Sequence, residues 1–325
     1  MGVTFHASPI SGPFGDPVLY VRIFREKRAL LLDLGDIGSL GPGNLLKVSD
    51  VFVTHTHIDH FIGFDVLLRT CLRSMTPLRV FGPRGITGCV EGKLRGYSWN
   101  LIRDYPLKIE VYEVEGAALR HHSFHAEKAF HVSGGEERPF EGTLLRDQSF
   151  TVRGVTLSHD IPVMAYSIEE EYHINIDKQR LKELDLSVGP WLSDLKKAIR
   201  AGLPETTAFE VDGRIVTLPE ARAVATITKG QKISYVTDAS PVPENLEKII
   251  AFVKGSDQLF CEAYFLDQDR TRARERNHLT AALAGRIARE AAVGSLVLVH
   301  FSPKYRTMPE ALYQEARLES GGDVR

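Results

Sequence analysis

Val53-Thr54-His55-Thr56-His57-Ile58-Asp59-His60 directly follows the apolar pair Val51-Phe52 and crowds three imidazoles and a carboxylate into positions 55–60. The apolar run Val51-Phe52-Val53 reads as a buried strand. A strand that ends this way delivers its side chains to the loop at its carboxyl edge, where α/β folds place their chemistry. While the chain stays extended, positions 55 and 57 point the same way, and the adjacent pair 59 and 60 reaches a second locus once it turns. Neutral imidazole and carboxylate are ligand types that divalent zinc accepts at about 2.0–2.2 Å. Without a cation, such a cluster would bury several polar groups that need partners. A solvated polar turn is the competing reading.

Working outward, three more ligand-type residues stand just past apolar runs. His159 follows Val155-Thr156-Leu157-Ser158, Asp238 follows Ile233-Ser234-Tyr235-Val236-Thr237, and His300 follows Leu296-Val297-Leu298-Val299. Singly, each reads as a cap or a turn former. Together with residues 55–60, strand ends of one sheet system would let them converge.

The net charge of −2 argues against a polyanion partner held by global charge, so any RNA-binding surface must be a local patch. Cys71, Cys89 and Cys261 are scattered and odd in number, which suits reduced thiols in a cytoplasmic protein. The N-terminal segment lacks a basic stretch followed by an apolar core, so no leader is expected. No run reaches the roughly 18 apolar residues of a membrane span.

The chain opens with an expected hairpin, residues 18–24 and 29–33, around a charged turn from Arg25 to Arg28. After the histidine loop, Ile62, Val66, Leu67, Cys71, Leu72 and Met75 recur at helical spacing until Thr76-Pro77. A short strand at 78–81, a helix over 86–100 and a strand over 108–114 come next. His121, His122, His125 and His131 read as surface histidines on strands, with no carboxylate in register. Strands are expected at 150–159 and 163–168, then a polar stretch over 172–230 with helices near 177–184 and 191–201. We expect a single domain over 1–325, with 172–230 inserted in it. The last third alternates strands at 233–237, 258–261 and 296–299 with helices at 243–254, 278–292 and 309–318, the alternation of an α/β fold.

Thr54-His55-Thr56-His57-Ile58-Asp59-His60 resembles the signature loop of the metallo-β-lactamase superfamily of hydrolases. The resemblance implies a four-layer αβ/βα sandwich with a polar helical insertion. It also implies two zinc ions, with manganese or iron as alternatives. His55, His57 and His159 would hold one, Asp59, His60 and His300 the other, and Asp238 would bridge them. Two ions about 3.5–4 Å apart can share and acidify a hydroxide and clamp both oxygens of a phosphodiester. His60 beside Asp59 suits a dinuclear zinc hydrolase; a redox di-iron relative would be expected to carry a Glu within the loop.

Later segments are similar to one branch, ribonuclease Z, the endonuclease that trims tRNA 3′ trailers. His159-Asp160-Ile161-Pro162-Val163-Met164-Ala165-Tyr166 resembles its His-x-Ile-Pro-x-x-x-Tyr segment, and Phe260-Cys261-Glu262-Ala263-Tyr264 its His-Glu-Ala-Thr segment. His278-Leu279-Thr280 resembles its His-Ser-Thr segment, and Val299-His300-Phe301-Ser302-Pro303-Lys304-Tyr305 its final ligand segment. The resemblance implies that Glu262 and His278 assist proton transfer to the leaving oxygen, beside Asp59 among the catalytic residues. From the residues alone, Glu262 could instead pair with Arg270, Arg272 or Arg274, and His278 could be a helix start capped by Asn277.

The stretch with Val188-Gly189-Pro190-Trp191, Lys196-Lys197 and Gly202 looks like the family's tRNA-gripping exosite arm, and the family implies a homodimer. Three features depart from the pattern. Cys261 and Tyr264 replace a His and a Thr, and Thr237-Asp238-Ala239 stands where the family has Gly-Asp-Thr. Ser11-Gly12-Pro13-Phe14-Gly15-Asp16-Pro17 stands where the family carries a cationic Pro-x-Lys-x-Arg-Asn loop. Two hydrolase readings follow: a zinc phosphodiesterase acting on precursor tRNA, or one acting on a small phosphodiester or other ester. A metal-bearing RNA-binding protein without turnover is the third reading.

Overall fold

The computed structural model describes residues 4–24 and 26–325. Arg25 of the expected charged turn, and residues 1–3 of the segment expected to carry no leader, lie outside the described residues. Two large sheets dominate. The first has eight strands in sequence order, Phe5–Pro9, Leu19–Ile23, Ala29–Leu32, Val48–Phe52, Leu78–Pro83, Lys108–Glu115, Ala118–His125 and Val132–Pro139. The pairs from Ala29–Leu32 to Lys108–Glu115 are parallel and the flanking pairs antiparallel. The second runs in the order Asp323–Val324, Ser295–Val299, Gln258–Glu262, Lys232–Val236, Ile161–Glu169, Thr151–His159 and Thr143–Arg146.

Alternation along Val48–Phe52 and into Val53 shows why the sheets stack. Every residue of this strand is buried, as a parallel strand covered on both faces must be. Val51 and Val53 face a core shared with Leu67, Leu68, Val90 and Leu94 of the helices Phe64–Cys71 and Ile86–Arg95. Phe52 points the other way, stacks on Phe81 at 4.7 Å and meets Tyr166 of the second sheet at 5.6 Å. Tyr166 also donates its hydroxyl to the Val53 carbonyl (2.5 Å) and Met164 its amide to the Thr54 carbonyl (2.9 Å). The second sheet's far face packs on the helices Pro243–Val253, Ala281–Glu290 and Pro309–Ser320 through a separate apolar core. Helix, sheet, sheet, helix is the four-layer αβ/βα sandwich expected. None of the described helices is long and apolar enough to cross a membrane.

The helical spacing after the histidine loop is realised differently. A short helix Ile58–Phe61 and a longer one Phe64–Cys71 meet at Ile62-Gly63. Phe64, Leu67, Leu68 and Cys71 form the buried face, whereas Ile62, Val66 and Met75 are exposed. Packing at Gly63 accounts for the change of phase, because a Cβ there would fall 2.4 Å from the Gly35 carbonyl oxygen. Gly35 is equally confined: a Cβ would lie 2.5 Å from the Asp16 carbonyl and 2.6 Å from that of Asp59. Gly35→Ala should therefore push the 55–60 loop outward and cost about 1–3 kcal/mol by overpacking, read as a lowered urea midpoint at unchanged slope. An unshifted midpoint would show that this backbone contact is slack.

Residues 169–231 with Thr4 and 145–151 make a smaller compact unit. The expected helices are there, Lys178–Glu183 and Trp191–Arg200, with Asp177 capping the first. The stretch is not helical throughout, however. Tyr172–Ile176 pairs with Ala225–Lys229, and Ala208–Val211 with Arg214–Thr217. The second pair turns at Asp212-Gly213, both at positive φ, a local hairpin signal. Leu181, Trp191, Leu195, Phe209 and Val216 give the unit its own core.

Candidate metal centre

The loop 55–60 opens from the end of Val48–Phe52, and its shape follows from capping. His57 is extended and precedes the helix Ile58–Phe61, so Asp59 falls in the first turn, where the helix dipole favours a carboxylate. Three other strand ends complete the centre. His159 is the last residue of Thr151–His159, and Asp238 and His300 follow their strands in the left-handed conformation, at φ 52° and 55°. Non-glycine residues held there cost on the order of 1–3 kcal/mol each and cluster at functional sites.

Ligand-type atoms converge as the sequence predicts. His55, His57 and His159 group within 4.8 Å; so do His55, His60 and Asp238, and Asp59, His60 and His300. A fourth group joins Asp238, Glu262, His278 and His300. All seven expected ligands thus meet, and both Glu262 and His278 border them. Asp238 is at the middle, 2.5 Å from His60 Nε2, 3.7 Å from His55 Nε2 and 3.3 Å from His300 Nδ1.

Neighbouring groups set the ring orientations. His60 Nδ1 meets Asp33 Oδ2 at 2.9 Å, His159 Nδ1 meets the Asn277 carbonyl at 2.7 Å, and His55 Nδ1 meets Thr54 Oγ1 at 3.1 Å. Each contact engages Nδ1 and leaves Nε2 for the centre, as ligating histidines are commonly held. Asp33 is fully buried at the end of Ala29–Leu32 and also accepts from Thr54 N, Thr54 Oγ1 and Tyr235 OH. Sequence reasoning passed over Asp33 as the end of a strand. Its signal was a carboxylate closing a wholly apolar run, which a buried strand tolerates only with partners. Asp33→Ala should cost about 10–100-fold in metal affinity, measured by chelator competition. Unchanged affinity would reduce Asp33 to a structural partner of Thr54.

Electrostatics divide the site. Burial, with His60 next to it, holds His55 neutral with its pKa down at about 2. Burial would also lower His60, but Asp238 and Asp33 outweigh it and lift the ring to about 10. Asp59 is raised by burial and lowered more by His300 and His60, to about 2. Asp238 lies well below the carboxylate range because His300 and His60 overcome its burial. His55 Nε2, His60 Nε2, Asp238 Oδ1 and His300 Nδ1 are buried without a hydrogen-bond partner. Such groups cost about 1–3 kcal/mol each when left unmade. Several unsatisfied lone-pair donors of nitrogen and carboxylate type around one point fit a divalent cation.

Glu262 makes no ion pair with the expected arginines. It accepts from Ala239 N (2.9 Å), Leu279 N (3.1 Å) and His278 Nδ1 (2.9 Å). His278 is not a capped helix start either, since Thr280 caps the helix Ala281–Glu290. The His278 ring stacks on Tyr264 at 4.0 Å and 8°. Burial lowers its pKa, but Glu262 and then Asp238 raise it to about 9.

Of the other histidines singled out, His121, His122 and His125 stand on the strand Ala118–His125, whereas His131 lies just before the strand Val132–Pro139 and not on it. Carboxylates do reach His121, contrary to the sequence expectation. His121 Nε2 lies 2.6 Å from Glu110 Oε2, and Glu136 approaches from the next strand. Among the described residues, the groups with metal-holding geometry are those of the centre alone.

No protein-family model matches the chain. It is 29% identical over 307 residues to ribonuclease Z of Deinococcus radiodurans, covering 92% of this chain and 91% of that one. It is 30% identical over 282 residues to ribonuclease Z of Synechococcus sp. strain CC9605, covering 84% and 76%. The metallo-β-lactamase fold protein YhfI from Bacillus subtilis superposes at a TM-score of 0.57 with 16% identity, over 97% of this chain and 93% of that one, which shows the shared fold. On these sequence relationships, together with the sandwich and its histidine–aspartate cluster, the chain belongs to the ribonuclease Z family of metal-dependent hydrolases.

Proposed function

We propose that the chain is a zinc-dependent phosphodiesterase that removes 3′ trailers from precursor tRNA, acting in the cytoplasm as a homodimer. The observation that carries the reading is the contact of His278 with both Glu262 and Asp238 at the rim of the ligand cluster. In this reading His55, His57, Asp59, His60, His159, Asp238 and His300 hold two zinc ions, and residues 172–230 are an insertion in one domain. The bound ions would supply Lewis acidity and an acidified water. His278 keeps Nδ1 committed to Glu262, 2.9 Å away, with Asp238 Oδ1 also at 2.9 Å. Glu262, ahead of Asp238, raises the ring's pKa above the ordinary imidazole value, which favours the protonated form that can give a departing ribose oxygen its proton. Glu262, locked by two backbone amides, orients that ring, and Tyr264 covers its face.

A second reading, a small phosphodiester or other ester as substrate, is favoured by one observation. A long tRNA needs a basic face to grip it, and two of the smaller unit's cations are neutralised by carboxylates. Arg200 pairs with buried Glu170 at 3.2 Å and Lys197 with Asp194 at 3.1 Å, while Lys178 and Lys182 stand exposed. Zinc-loaded protein is to be incubated with 3′-extended precursor tRNA and with bis(p-nitrophenyl) phosphate, each with a chelated control. Metal-dependent cleavage at the trailer junction supports the first reading; turnover of the small ester alone supports the second. No metal-dependent turnover of either would end both.

A further inference from the structure

The helix Arg270–Glu275 leads through Arg276 and Asn277 into His278, and arginine occupies every second position from 270 to 276. Of its residues only Ala273 is buried, so the guanidinium groups stand in solvent. The segment is tied to the wall of the metal centre from both ends. The Asn277 carbonyl receives His159 Nδ1, and the Asn277 side chain donates to Asp160 at 2.7 Å. Arg272 lies 6.0 Å from the ring of Phe265, which itself meets the His278 ring at 6.2 Å. From the other side, Lys304, four residues past His300, reaches Asp269 at 2.7 Å.

Charge is not balanced along this rim. Asp267 answers Arg270 at 3.8 Å and Asp269 answers Lys304. Among the described residues, Arg274, Arg276 and Arg306 have no ionic partner, and all three are exposed. In a chain of net charge −2, unanswered guanidinium groups two and four residues from a proton-donating histidine need a reason. Guanidinium is the side chain suited to bidentate phosphate contact.

We propose that Arg274 and Arg276 form a phosphate-gripping rim that holds the backbone of a single-stranded polynucleotide next to the scissile bond. The inference deepens the tRNA reading given above and rests on it. It places the grip on the segment leading into His278, in addition to any contact by residues 172–230. A small diester has no flanking phosphates, so the rim contributes nothing to its turnover.

The test is the double variant Arg274→Gln/Arg276→Gln in the full chain. Binding of a fluorescent 3′-extended RNA to metal-free protein is followed by anisotropy across a salt series, so the rim is read without turnover. Affinity is expected to fall about tenfold or more at low salt. The log–log salt slope should become shallower by about 0.7 for each phosphate of the single strand that is no longer neutralised. With metal restored, kcat/KM for the RNA falls in parallel and that for bis(p-nitrophenyl) phosphate does not. An RNA affinity and salt slope equal to those of the parent overturn the rim, and so does an equal loss on both substrates. If the parent binds RNA through these arginines yet cleaves neither substrate, the tRNA-processing reading fails while the rim stands.

Discussion

Asp238→Ala is expected to strip the centre of metal and to end turnover. Among the described residues, Asp238 is the one carboxylate within 4 Å of His55, His60, His278 and His300 together, so its removal breaks the groupings that run through it and leaves His60 without its nearest carboxylate in the centre. A metal that acts as Lewis acid contributes several kcal/mol to the barrier, and each 1.36 kcal/mol is tenfold in rate. A loss on the order of a thousandfold or more in kcat therefore follows, with metal content by elemental analysis well below that of the parent. The parent should also gain thermal stability from zinc and lose it to a chelator, because a ligand bound only by the folded state stabilises by about 4 kcal/mol at a thousand times its Kd. Asp238→Ala should show neither response. Metal content and kcat within tenfold of the parent would remove Asp238 from the centre.

His278→Ala should separate proton delivery from metal binding. The ring stands beside the seven ligands without being one of them in this reading, so metal content should persist. General acid catalysis by a positioned side chain is worth about 10²–10⁴-fold, and that is the expected loss in kcat on RNA, whose leaving ribose oxygen needs a proton. A nitrophenolate departs without one, so turnover of bis(p-nitrophenyl) phosphate should fall far less. Glu262→Gln should follow the same pattern more weakly, since it removes the charge that orients the ring while keeping the shape. Equal losses on both substrates would make His278 a structural member of the site.

The strand–loop chemistry was legible because it is local. His55 to His60 follow an apolar run within one stretch, and His159, Asp238 and His300 each close a strand, so residue type and position announced them. Glu262 and His278 were legible only through resemblance to a family, since their residues alone allowed an ion pair with arginine and an ordinary helix start. Asp33 was missed because its role depends on partners in other strands, Thr54 and Tyr235, that no local pattern reveals. The carboxylate neighbours of His121 escaped for the same reason, arriving across strands. The strands of residues 172–230 were lost among polar residues, where short edge strands leave a weak period.

By itself the sequence determined the α/β alternation and the ligand-type residues at its strand ends, while the hydrolase and the four-layer sandwich came with the family resemblance those residues carry. Only the tertiary structure decided which ring nitrogen of His55, His60 and His159 is engaged away from the centre, that Glu262 lies against His278, and that among the described residues Arg274 and Arg276 have no ionic partner. The physical reason is range. Burial and strand period are written within a few residues, whereas hydrogen-bond partners and charge balance are settled by side chains far apart in the chain that packing brings within about 3 or 4 Å of one another.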